Sequence, residues 1–143
     1  MNFRFVGRIV SFDAEGSKII TAMTFPSSED YLKGPLHSPL RIPSSITLEA
    51  MAQCAGALII KAIGQDRVFP LLVRVDEAQF LTPVAPGEEL LVQSNLLAVQ
   101  DRTGESVGLA RTWSQASVGD RNIAIARMAF ICVPLASSQR IEI

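Results

Sequence analysis

A chain of 143 residues with 48% hydrophobic content has the length of one ordinary domain and enough apolar material to fill its core. The formal net charge is −1, with 19% charged residues and no basic stripe, which argues against nucleic acid and for a small molecule or another protein as partner. Cys54 and Cys132 stand far apart in apolar surroundings, so they read as buried free thiols and not as a disulfide scaffold. The opening MNFRFVGRIVSF lacks the basic region, apolar run and cleavage site of a secretory signal. No apolar stretch reaches about 18 residues, so a cytoplasmic protein without a membrane span is expected.

In chain order, residues 3–12 and 17–25 are β-like and flank Asp13-Ala14-Glu15-Gly16, a turn-forming cluster, which predicts a hairpin. A loop stiffened by Pro35, Pro39 and Pro43 follows, and Ser44 is placed to cap the helix after it. In that helix Ile46, Ala50, Met51, Cys54, Ala55, Leu58, Ile59 and Ala62 recur at three- and four-residue spacing, and Gly64 supplies a stop. The helix is apolar on nearly all sides. Its small residues, Ala50, Ala52, Ala55, Gly56 and Ala57, suit close approach to other backbone inside a curved sheet. From Pro70 on, strands are expected over residues 71–75, 79–81, 89–100, 105–118 and 122–133. Turn signals fall at residues 83–87, 101–104 and 119–120. Two strands, one long buried helix and several long antiparallel strands make an α+β arrangement with one helix embraced by one sheet.

The chemistry concentrates between Gly34 and Gln53. The loop holds the only histidine of the chain, His37, so any imidazole acid–base step must use it. Glu49 is the one acidic residue of the helix. A carboxylate in an apolar helix is costly unless paired, which makes Glu49 a candidate for function, or for pairing with an arginine such as Arg41 or Arg74. Gln53 lies one turn further along the same face, placed to hold Glu49 or to contact a partner. Core or tunnel-wall packing is the default for Trp113 and Tyr31. One histidine and two separated cysteines make no metal-ligand cluster, and no phosphate-binding glycine loop or nucleophile elbow is present. No metal or cofactor is expected.

Three blocks carry a family resemblance: Phe5 to Val10, Leu48-Glu49-Ala50-Met51-Ala52-Gln53, and Ala78-Gln79-Phe80-Leu81-Thr82-Pro83-Val84-Ala85-Pro86-Gly87-Glu88-Glu89-Leu90. In them the chain resembles the hotdog-fold 3-hydroxyacyl-[acyl-carrier-protein] dehydratases, the FabA/FabZ-like family, over nearly its whole length. The Thr-Pro-Val-x-Pro-Gly block is the most specific of the three. The resemblance implies one hotdog domain over residues 1–143, with a long central helix wrapped by a curved antiparallel sheet and a weakly structured tail from about residue 135. It implies removal of water from a β-hydroxyacyl thioester by a loop histidine and a helix carboxylate of the other subunit in a dimer. Glu49 matches the acidic position, and Ser44 falls where a backbone N–H faces the thioester carbonyl. Laid without gaps, the family's histidine position holds Pro35, and His37 stands two residues on, where the family has proline.

Three functions stay open on these residues. In the first, Glu49 and a displaced His37 dehydrate a 3-hydroxyacyl thioester while the Ser44 N–H polarises its carbonyl and Gln53 contacts the substrate. In the second, the chain is a catalytically impaired acyl-binding protein, or the partner of a related subunit. In the third, it is a hotdog thioesterase whose helix carboxylate activates water. The partners implied are an acyl thioester on acyl carrier protein or coenzyme A, and a second copy or a related chain. Lys33, Arg41, Arg67 and Arg74 are candidates to meet an acidic carrier.

Overall fold

One helix lies against one antiparallel sheet. The computed structural model describes residues 5–15, 17–26, 41–63, 68–100 and 108–135. The elements are β1 (Arg8–Asp13), β2 (Lys18–Thr24), α1 (Ser44–Ile63), β3 (Val68–Phe80), β4 (Glu89–Gln100), β5 (Gly108–Val118) and β6 (Arg121–Pro134). The six strands run in the order β1-β2-β4-β5-β6-β3, every neighbouring pair antiparallel, so β1 and β3 are the edges. This is the hotdog arrangement. The 135–143 tail falls almost entirely outside the described residues.

Small side chains let the helix sit close. Ala110, Thr112, Ser114 and Ala116 of β5 and Ala124 and Ala126 of β6 are buried, as are Ala50, Cys54, Ala55 and Ala57 of α1. Larger groups, including Met51, Leu58, Ile59, Leu90, Ile123 and Met128, fill the remaining core, each contributing about 1.5–3 kcal/mol on burial. By length and composition α1 is apolar enough to cross a membrane, which the expectation from the sequence had missed. With 61% of its most apolar window buried against the sheet, it is a core helix.

Two-residue alternation sorts β5 into faces. Its even-numbered residues from 108 to 116 are buried, so Trp113 lies on the outer face, half-buried beside Asn95 and Arg127, and not in the core. Inside, Ser94 and Ser114 hydroxyls bond at 2.6 Å, while Thr112 Oγ1 has no partner among the described residues. An orphaned buried hydroxyl is costly, so Thr112→Val, which keeps the shape, is expected to stabilise the fold by about 1 kcal/mol, read as a higher urea midpoint with an unchanged slope. Cys54 and Cys132 are buried thiols that are not joined in a disulfide. Burial pushes the Cys54 thiol up, and the hydroxyls of Ser94 and Thr21 offset it only in part.

Three boundaries differ from the sequence expectation. The first strand begins at Arg8, because Gly7 has φ +64° and lies so close to β2 that a Cβ there would be 2.1 Å from the Ala22 oxygen. Phe5 and Val6 turn inward instead and are buried. The segments 71–75 and 79–81, all but Leu81, belong to one 13-residue strand, β3, which starts before Pro70, ends at Phe80 and absorbs extra residues in bulges at Val73 and Asp76. Pro70 is tolerated because β3 is an edge strand, with one side free of ladder bonds. The Gly119-Asp120 hairpin forms as expected, with only Gly119 at positive φ, the pattern of a type II′ turn.

Candidate active site

The first turn of α1 is set by the Thr-Pro-Val turn. Leu81 and Thr82 donate main-chain bonds to the Ile123 oxygen, and the Thr82 hydroxyl donates to the Asn122 oxygen at 2.7 Å. Val84 then accepts from the Ile42 N–H at 2.7 Å, which holds the chain two residues before α1. Pro43 takes the N-cap place, since its carbonyl accepts from Ile46 at 2.9 Å and Thr47 at 3.3 Å. Ser44 is therefore the first helical residue and not the cap. As part of the first turn, its N–H has no intrahelical acceptor and stays available to an oxygen from outside.

Ala85-Pro86-Gly87-Glu88 closes the turn. Pro86 and Gly87, the latter at φ +89°, suit the two central places of a type II turn, and the Glu88 N–H donates to the Ala85 oxygen at 3.2 Å. The Glu88 carboxylate accepts from the Ala85 N–H at 2.8 Å and from Arg121 Nη2 at 2.8 Å on both oxygens. The Ala85 N–H first, and Arg121 second, hold this carboxyl below the ordinary glutamate range. A depressed carboxyl adds stability above its unfolded value, and that increment is lost as the pH falls through the folded value. Wild type should thus lose slightly more of its urea midpoint between pH 7 and pH 3 than Glu88→Gln does.

Glu49 is exposed on α1, although Gly56 and Ile60, further along the same face, are buried. The cost expected of a carboxylate within an apolar helix does not arise here, because Glu49 itself is exposed. Its partner is an amide and not an arginine: Gln53 Nε2 donates to Glu49 Oε1 at 2.9 Å. Arg74 is engaged with Asp76, and no ion pair reaches Glu49 among the described residues. The other end of the Gln53 amide, Oε1, accepts from the Phe5 N–H at 2.7 Å. Two surface depressions lined by described residues measure about 280 and 470 Å³. Both lie on the outer face of the sheet, around Gln93, Gln115 and Trp113.

Comparison with known proteins settles the lineage. The FabA-like domain family matches residues 1–127. The chain belongs to that family. A 3-hydroxyacyl-[acyl-carrier-protein] dehydratase FabZ of Chlamydia muridarum is 27% identical over 133 residues, covering 92% of this chain and 83% of the relative. Among solved structures, a conserved protein of Pseudomonas aeruginosa superposes with TM-score 0.68 at 16% identity, over 90% of each chain. A hypothetical thioesterase protein of Streptococcus pneumoniae, solved with coenzyme A, superposes with TM-score 0.66 at 12% identity, over 91% of this chain and 88% of that one. At such identities the structural likenesses speak for the fold alone.

Of the residues singled out in the sequence, this FabA-like chain places Glu49 and Gln53 in contact and Ser44 at the head of the same helix. His37 and Pro35 lie outside the described residues, as do Tyr31, Lys33 and Arg67. Arg41 is exposed just before α1. The Phe5 N–H was not foreseen as part of the site. A main-chain donor leaves no mark in a sequence, although the Phe5 to Val10 block held it.

Proposed function

We propose that the protein is a 3-hydroxyacyl-thioester dehydratase of the FabA/FabZ kind. The observation that carries the reading is the anchored carboxylate. Glu49 is the acidic residue that matches the family, and it is exposed and held from the side by Gln53. In the reaction, the Ser44 N–H polarises the thioester carbonyl, His37 takes the α-proton, and Glu49 protonates the departing β-hydroxyl. Water leaves, an enoyl thioester remains, and a proton returns from the imidazole to Glu49 through solvent. The acyl group arrives on acyl carrier protein, as the name of the Chlamydia relative suggests, or on coenzyme A.

The working unit is a dimer of identical chains joined along β3. Of ten large apolar side chains exposed among the described residues, six lie between 71 and 81 on this edge. An exposed apolar edge of such length invites a second strand. The partner then brings its loop to the helix face that carries Glu49.

The deciding experiment incubates pure protein with 3-hydroxyacyl thioesters of both carriers while enoyl thioester and free thiol are followed separately. Enoyl product without thiol supports dehydration. Thiol release assigns a thioesterase instead, and turnover that starts only on adding a related chain assigns an incomplete subunit.

A further inference from the structure

The first described residues touch the helix at the point where Glu49 is held, and nothing in the proposed reaction uses them. Phe5 and Val6 are buried, and the Phe5 ring lies 5.9 Å from that of Phe25, tilted by 54°. Gly7 makes this approach possible, since only a residue without Cβ can take φ +64° with the Ala22 oxygen in the space a Cβ would fill. The consequence reaches the Gln53 amide. Its two ends have nearly the same shape, but one only accepts and the other only donates. The Phe5 N–H can only donate, so it selects Oε1 and thereby turns Nε2 toward Glu49.

We infer that the Phe5–Gly7 segment is a positioning element of the Glu49 site, acting through Gln53. Gly7 seats the chain on β2, the seated chain presents the Phe5 N–H, and that donor fixes which end of Gln53 meets the carboxylate. A Gln53 freed from Phe5 can turn over and set its carbonyl against Glu49, which repels it. The inference rests on Glu49 being the working carboxylate of the proposed dehydration, but the amide orientation is testable without any turnover.

The experiment has two arms. In the first, the side-chain amide protons of Gln53 are assigned by NMR. In wild type they should be resolved and protected from exchange. In Gly7→Ala, checked for folding by a cooperative melt, they should exchange about 10-fold faster or more, the loss expected for one hydrogen bond. Unmoved signals in a folded Gly7→Ala overturn the inference. In the second arm, kcat and KM are measured for Gln53→Met and Gln53→Glu, which needs no change at Gly7. Seating by Phe5 holds a carboxylate at position 53 against Glu49, so Gln53→Glu should lower kcat further than Gln53→Met, with KM changed less than about twofold. If Gln53→Glu is the milder of the two, the side chain is free to turn away and the inference fails. Should the first arm succeed while Glu49→Gln keeps full turnover, the positioning stands and the assignment of Glu49 falls.

Discussion

Glu49→Gln should lower kcat for dehydration by about 100- to 10,000-fold, the range that one well-placed acid–base group supplies. The amide fills the same volume and can still meet Gln53, so the fold and KM should be nearly preserved. What it lacks is a proton to give to the leaving hydroxyl. The exposure of Glu49 in the single chain makes a structural role a poor alternative, because an exposed glutamate bonded to one amide contributes little to stability. Urea midpoints of wild type and Glu49→Gln should therefore agree within the effect of one surface hydrogen bond. A variant that unfolds, or one that turns over at the wild-type rate, removes Glu49 from the reaction. A partial loss of about 10-fold would instead fit a residue that orients substrate through its carbonyl oxygen.

Much of this site could be read from residue types whose backbone demands are local. Pro86-Gly87 and Gly119-Asp120 announce their turns because proline presets φ and glycine alone takes a positive φ cheaply. The small-residue helix announces its burial, and the Glu49–Gln53 pair follows from four-residue spacing on one face. Non-local facts stayed hidden. Gly7 lies inside a run that looks like continuous strand, and only the neighbouring Ala22 carbonyl explains why that run breaks. The charged stretch Asp76-Glu77 looks like an interruption between two strands. In the fold it sits on an edge with a bulge, where charge and an extra residue are tolerated. The exposure of Glu49 depends on what packs against the first turns of α1, a property of the assembled layers and not of any window of sequence.

Replacing both Val73 and Val75 by lysine should convert the proposed dimer to monomers, halving the mass measured by light scattering, and should abolish turnover with it. Among the described residues strand β3 bonds only to β6, so its outer edge of 13 residues, about 43 Å at about 3.3 Å per residue, carries main-chain groups with no sheet partner among them. Val73 and Val75 are 52% and 37% exposed there. Lysine on such an edge opposes strand pairing by charge and by desolvation. The charges argue for one register of the proposed dimer. A two-fold axis at Val75 would set Arg74 of one chain across from Asp76 of the other, and the same pair would recur on the far side of the axis. Within one chain the Arg74–Asp76 pair is exposed and adds little, but across the axis the four charges alternate in sign. Asp76→Arg then places four arginines together and should weaken the dimer by about 10-fold or more, as like charges directly opposite do. Adding Arg74→Asp restores the alternation and should restore the dimer and its turnover. A wild type that is monomeric while active removes the β3 interface, and a charge swap that fails to rescue Asp76→Arg moves the axis away from Val75.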